Sequence, residues 1–220
     1  MRTQIAANVE AVRNRVVGAC ERANREPGSV TLIAVSKTQE AESVRIAFEA
    51  GIQDFGENRV QEALHKQDTV DEAIRWHFIG HLQSNKVKAA AGRFVTLHSI
   101  DSVRLLAAVD AATLGRQSIM LEVNVAAEPT KYGVDPGMVG ALVKAAESYT
   151  NVVLEGLMTV APRSGVPEQV RPVFQRLRKL AEEYGLRGLS MGMTDDFEVA
   201  IEEGATHIRV GRAIFGERTI

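Results

Sequence analysis

At 220 residues, with 26 basic and 28 acidic side chains and a formal net charge of -2, the chain can bury a substantial core and has no general field to recruit nucleic acid or an anionic membrane. Its one cysteine, Cys20, excludes an intramolecular disulfide, and no apolar stretch approaches the roughly twenty residues of a membrane span. A reduced, cytoplasmic protein is the expectation. Without a low-complexity tract, proline-rich linker or charge block, residues 1–220 read as one domain.

Residues 3 to 25 set Ile5, Val9, Val12, Val16 and Val17 at helical spacing, which predicts an extra N-terminal helix covering one end or side of the domain. After it, a short apolar run, a polar or glycine-bearing turn and a longer amphipathic segment recur. The strand-like runs are Thr31 to Ser36, Ile52 to Phe55, Trp76 to Ile79, Val95 to Ile100, Ile119 to Val125, Val152 to Met158, Gly188 to Met191 and Thr206 to Val210. Helical sequence such as Gly137 to Tyr149 and Pro167 to Tyr184 lies between them. This alternation predicts an α/β fold, a single (β/α)8 TIM-type barrel. A doubly wound open sheet is the rival, because periodicity alone does not close a barrel.

In such a barrel, chemistry belongs at the C-terminal ends of the strands, with phosphate expected in the loops after the seventh and eighth. Ser190-Met191-Gly192-Met193-Thr194-Asp195-Asp196 ends a strand in a glycine and hydroxyl turn suited to an anion, although Thr194 or Asp195 could equally cap the helix carrying Phe197, Ala200 and Ile201. In Arg209-Val210-Gly211-Arg212, Gly211 would let a backbone amide approach a phosphate, or would simply relieve a tight turn.

The first strand closes the barrel beside the eighth, so Lys37 falls near Arg209. On a period of two it shares a face with Ile33 and Val35. Lysines at strand ends are ordinarily solvated. In a partly desolvated pocket near another cation, however, a lysine amine becomes a nucleophile toward carbonyl groups. A neighbouring phosphate site makes the carbonyl partner a phosphorylated aldehyde or ketone, and both pyridoxal phosphate and a sugar phosphate qualify.

Other polar residues receive no chemical role. His77 and His81 are four apart but lie on a strand running into a glycine turn, and His65, His98 and His207 lack a carboxylate or cysteine at ligand spacing, so no metal site is expected. Glu57, Glu62, Asp195, Asp196 and Glu198 sit near predicted helix starts, where acidic residues suit the dipole. The basic stretch Lys86 to Lys88 with Arg93 is short and lacks aromatic partners, which argues against nucleic acid.

Several segments, in order along nearly the whole chain, resemble one family. They are Ala34-Val35-Ser36-Lys37, Phe55-Gly56-Glu57-Asn58-Arg59-Val60-Gln61-Glu62, Trp76-His77-Phe78-Ile79-Gly80 with Leu82-Gln83-Ser84-Asn85-Lys86, Glu155-Gly156-Leu157-Met158, Leu189-Ser190-Met191-Gly192-Met193 and Ile208 to Gly216. The resemblance is to the pyridoxal phosphate homeostasis proteins of the YggS/PROSC type. It implies the fold of the N-terminal barrel of alanine racemase and pyridoxal 5'-phosphate (PLP) as a Schiff base on Lys37. It further implies Arg209 facing the pyridine nitrogen, Asn58 near the ring, and phosphate contacts from Thr194, Gly192 and the backbone around Gly211 and Arg212. Two positions depart from the family pattern: Thr194 replaces the usual serine, and Arg212 stands where a small hydroxyl residue is common.

Three functions are expected from these readings. The first, implied by the resemblance, is a non-catalytic PLP-binding protein serving intracellular vitamin B6 and amino acid homeostasis, with PLP-dependent apoenzymes as its recipients. The chain ends at Ile220 without room for the second domain of an alanine racemase, so a monomer is expected. The second is a racemase-like PLP enzyme, for which Tyr132 is the sole candidate base. The third is a Schiff-base aldolase acting on a sugar phosphate.

Overall fold

The stripe of apolar residues at the N-terminus forms α1 (Arg2–Arg22), burying Ile5, Val9, Val12, Val16, Ala19 and Cys20 on one face, while Val17 points outward and is exposed. The computed structural model describes residues 2–70 and 73–217. After α1 the elements alternate: β1 (Thr31–Val35), α2 (Ala41–Glu49), β2 (Asp54–Glu57), α3 (Val60–Thr69), β3 (Arg75–Phe78), α4 (Val87–Ala90), β4 (Thr96–Ile100) and α5 (Val103–Ala112). The second half continues with β5 (Gln117–Glu122), α6 (Val139–Ala146), β6 (Val152–Met158), α7 (Arg171–Glu183), β7 (Gly188–Met193), α8 (Phe197–Glu202), β8 (His207–Val210) and α9 (Arg212–Phe215).

The strands form a closed barrel in chain order, and β1 pairs in parallel with β8 in the register Thr31↔His207 and Ile33↔Arg209. Closure excludes the open sheet. It also brings Lys37, just beyond β1, to the same rim as the turn after β8. Helix α1 packs on α2, α8 and α9, covering the seam where the first and last units meet. Arg13 donates to the carbonyls of Ala50 and Gly51, and Arg22 pairs with Glu202 at 2.7 Å.

Two strands begin away from their apolar runs. Ile52, read as the start of the second strand, instead comes after Gly51, whose φ of +94° reverses the chain at the end of α2. Its N–H returns to Ala47 O at 3.0 Å and its side chain is buried, so its apolarity serves the helix terminus. On β5 the pairing begins two residues earlier, at Gln117, and stops at Glu122; Val123 makes only an isolated bridge to Val134.

Parity along the strands divides the interior in two. Outward residues, including Phe55, Leu97, Ile208 and Leu189, join Phe174 and Leu177 of α7 in an apolar cluster. The alternate positions Asp54, His77, His98, Ser190, His207 and Arg209 fill much of the lumen, and the first three with Ser190 and Arg209 are buried.

Candidate functional site

Lys37 lies between two anchored peptides. Ser36 is fully buried, and its hydroxyl donates to Glu57 Oε1 at 2.7 Å. Lys66 Nζ, reaching up from α3, donates to Ser36 O at 2.6 Å and to Glu57 Oε1 and Glu62 Oε1, each at 2.8 Å. On the other side, Thr38 N donates to Glu62 Oε1 at 2.5 Å, and Thr38 adopts a φ of +65°, a backbone conformation uncommon outside glycine. Lys66 and Glu62 thus hold the main chain on the two sides of Lys37, and Glu57 holds the Ser36 side chain and Lys66. Burial pushes the Glu57 carboxyl up, against the opposing pull of Lys66. Glu57 is therefore no helix-start residue, as the sequence suggested; it is the last residue of β2 and the centre of this clamp.

Across the seam, Val35 packs against the turn after β8: a Cβ on Gly211 would sit 3.5 Å from Val35 Cβ. This is ordinary contact distance, so the protein's own packing does not demand glycine there. Arg209 is buried in the lumen, donating through Nη1 to Ser190 Oγ at 2.5 Å and through Nη2 to Thr159 O at 2.8 Å. Burial draws its guanidinium down to about 10, while the negative field of Glu122 and Asp196 opposes the shift, and it stays charged at neutral pH.

At the end of β7, Gly192 has a φ of +90°, and a Cβ there would come within 2.6 Å of Ala200 Cβ. Its role in the structure is the close approach of α8. The sequence expectation of a cap at Thr194 or Asp195 is corrected: Asp196 is the N-cap residue, and its carboxylate accepts from Met193 N at 2.6 Å. Thr194 Oγ1 has no hydrogen bond among the described residues and remains available. Asp195 instead pairs with Arg212, whose guanidinium also meets Glu217 at 3.0 Å. The positive charge of Arg212 is thereby matched by carboxylates of the protein.

Asn58 does not cap α3, since Arg59 occupies that position and no side chain bonds the helix start. Asn58 Oδ1 is buried without a hydrogen-bond partner. Its main chain passes so close to Gly80 that a Cβ there would lie 2.3 Å from Asn58 O, which fixes Gly80 as glycine. Asn58, His81 and Tyr132 border a cavity of about 550 Å³ at the mouth of the barrel.

The alanine racemase N-terminal domain family matches residues 3–219. The chain is 43% identical over 217 residues to the pyridoxal phosphate homeostasis protein of Aquifex aeolicus, covering 94% of this chain and 95% of that one. It is likewise 43% identical over 220 residues to the protein of the same name from Pseudomonas aeruginosa, covering 97% and 96%. The chain belongs to the pyridoxal phosphate homeostasis protein family. Among solved structures, PipY of Synechococcus elongatus with PLP bound has a TM-score of 0.84 at 36% identity, covering 97% of this chain and 100% of PipY. An alanine racemase from Corynebacterium glutamicum shares the fold alone, with a TM-score of 0.75 at 16% identity, covering 99% of this chain and 62% of that one.

For this member of the homeostasis family, the residues that sequence reasoning passed over are those that act through others. Lys66 gave no signal, because a lysine in a helical pattern reads as surface. The luminal histidines had one available signal: His77, His98, His207 and Arg209 all fall on inward parity once the strands are aligned. Glu122, at the end of β5, is also buried, and burial pushes its carboxyl up to about 7 despite the counteracting field of Arg209. Among the described residues, no group of three His, Cys, Asp or Glu side chains is arranged to hold a metal ion.

Proposed function

We propose that this chain holds pyridoxal 5'-phosphate as a Schiff base on Lys37 and acts without catalytic turnover as a monomeric cytoplasmic carrier, passing PLP to PLP-dependent apoenzymes. The observation that carries the reading is the clamp on Ser36 and Thr38, which fixes a strand-end lysine beside the turn after β8. Four features fit the cofactor. Asn58 Oδ1 is a buried acceptor without a donor, Thr194 Oγ1 makes no hydrogen bond among the described residues, Gly211 has room on its open side, and Arg209 is a buried cation with donors beyond the two already used.

PLP, when bound, supplies an aldehyde that condenses with an amine, releasing one water, and a ring that withdraws electrons best when its nitrogen is protonated. The neutral Lys37 amine would make that bond. Arg209 would meet the pyridine nitrogen, and as a cation it disfavours protonation there, weakening the ring as an electron sink. Thr194 and the main chain of Gly192, Gly211 and Arg212 would hold the phosphate, with Asn58 at the ring. This division of roles favours storage and exchange over chemistry at an amino acid α-carbon.

The test is transfer. Protein loaded with PLP and freed of excess is mixed with the apo form of a PLP-dependent aminotransferase, and regained activity is followed. Restoration of the aminotransferase, with no deuterium entering alanine incubated with the loaded protein in D2O, is the expected result. A racemase-like reading draws on Tyr132, stacked on His81 with ring centroids 3.9 Å apart beside the Asn58 cavity; α-deuteration lost in Tyr132→Phe would establish it instead.

A further inference from the structure

Five strands contribute one luminal residue each to a continuous line of hydrogen bonds. Arg209 Nη1 donates to Ser190 Oγ at 2.5 Å, Ser190 Oγ meets His98 Nδ1 at 2.9 Å, His98 Nε2 meets His77 Nδ1 at 3.0 Å, and His77 Nε2 meets Asp54 Oδ1 at 3.0 Å. At the far end, Arg75 grips Asp54 through Nε at 2.8 Å and Nη2 at 2.6 Å. Asp54, His77, His98, Ser190 and Arg209 are all buried, and the half-exposed Arg75 brings the line to the N-terminal end of the barrel.

The two ends fix its direction. A guanidinium is a donor only, and an ionised carboxylate an acceptor only. Burial raises the Asp54 carboxyl, but the hydrogen bonds from His77 and Arg75 outweigh it and hold it at about 2. With both rings neutral, His77 gives Nε2–H to the acceptor-only Asp54, so its bare Nδ1 accepts Nε2–H from His98. The bare Nδ1 of His98 then accepts the Ser190 hydroxyl proton, and Ser190 Oγ accepts from Arg209. Each donor meets one acceptor, with neither a proton missing nor one in excess.

We propose that Ser190, His98, His77 and Asp54 form a one-way hydrogen-bond chain that positions Arg209, with both imidazoles neutral and protonated at Nε2. The chain keeps the hydroxyl oxygen of Ser190 turned toward the guanidinium, so that Arg209 is held through Nη1 while Nη2 reaches Thr159 O. These are positioning residues. Their effect on a bound ring rests on the PLP reading above; the chain itself does not.

Burial agrees with a neutral His98. Its imidazole is held well below the usual range by burial first, with the Arg209 charge adding to it. His207, with ring centroids 5.6 Å from His98 and 6.1 Å from His77, is drawn to about 4 by burial, with the Arg209 charge adding to it. Its Nδ1 is engaged by Thr206 Oγ1 at 2.9 Å, so it flanks the line without joining it. Glu122 and Asp196 bear on the Arg209 end, and Arg75 on the Asp54 end.

The test uses the full chain labelled with 15N at histidine and arginine, with His77→Gln and His98→Gln for assignment. Long-range 1H–15N correlation between pH 6 and 8 is expected to show Nδ1 bare and Nε2 protonated on both rings; a proton on either Nδ1 would overturn the chain. Rotation of the Arg209 guanidinium, read by NMR, is expected to be slow in the parent and in Ser190→Thr and at least about tenfold faster in Ser190→Ala, the fold-change of about 1.4 kcal/mol. Equal rotation in all three would overturn the positioning role. In protein loaded with PLP, Ser190→Ala is expected to move the pH midpoint of the imine absorbance by about one unit, with Ser190→Thr restoring it. Parent protein that takes up no PLP would refute the PLP reading and leave the tautomer and rotation results standing.

Discussion

Between the strands and the helices, Phe55, Leu97, Phe174, Leu177 and Ile208 are packed in one apolar cluster, whereas the same strands turn Asp54, His77, His98, Ser190 and Arg209 into the lumen. Ile33, Met120 and Met158 are buried yet lie apart from that cluster. The shell is held by burial of apolar area, which is non-directional and responds to volume. In the lumen and at the rim, polar groups bond to one another, and the cost of a change depends on which partner is left behind. The proposed site at Lys37 and Arg209 stands on the second kind of packing, supported by the first.

The comparison is broken most sharply by one substitution on each side. Phe174→Ala, in the shell, is expected to cost about 3–5 kcal/mol in denaturant unfolding while leaving PLP uptake by the folded fraction unchanged. Lys66→Met is expected to cost about 3–5 kcal/mol as well, because it strands the buried Glu57, and in addition to weaken PLP uptake by releasing Ser36 and Glu62. Unchanged uptake in Lys66→Met would reduce the clamp to packing.

Glu122 gives the next effect. Its carboxyl is raised by burial to about 7 from 4.5, so the folded state binds the proton more tightly than the unfolded one. That contribution is fully present below the unfolded value and is lost as pH rises through about 7. Glu122→Gln is expected to remove a loss of stability on the order of 3 kcal/mol between pH 5 and 8 in urea titrations. A parallel pH dependence in the two proteins would contradict it. His207 has the opposite sense: held neutral to about 4, it stabilises the fold above the unfolded imidazole range and loses that contribution as pH falls toward 4, so His207→Gln flattens the acid limb. The smallest effect is at the surface, where Arg15→Ala, breaking an exposed pair with Glu198, is expected to cost below about 1 kcal/mol.

The shell was the legible part of the sequence. Runs such as Thr31 to Val35 and Val152 to Met158 announce strands because their apolar residues are adjacent in the chain, and Ile5, Val9, Val12 and Val16 announce α1 by their spacing. The nearness of Lys37 to the turn after β8 was legible as well, because barrel topology alone brings the ends of β1 and β8 together. Lys66 and the Asp54–His77–His98–Ser190 line were not. Their partners are set by closure of the barrel and by strand parity, and His98 and Ser190 are 92 residues apart in the chain. The turn after β7 was misread for a local reason: Thr194, Asp195 and Asp196 are all competent caps, and only the backbone path decides for Asp196.

The most direct measurement is the absorption spectrum of purified protein beside Lys37→Ala, then borohydride reduction and location of the modified peptide by mass. A visible imine band that is absent from the variant, with pyridoxyl phosphate trapped on Lys37, is the predicted result. Colourless protein that takes up no added PLP, or a label that falls on another lysine, would contradict the assignment of Lys37 as the residue that holds the cofactor.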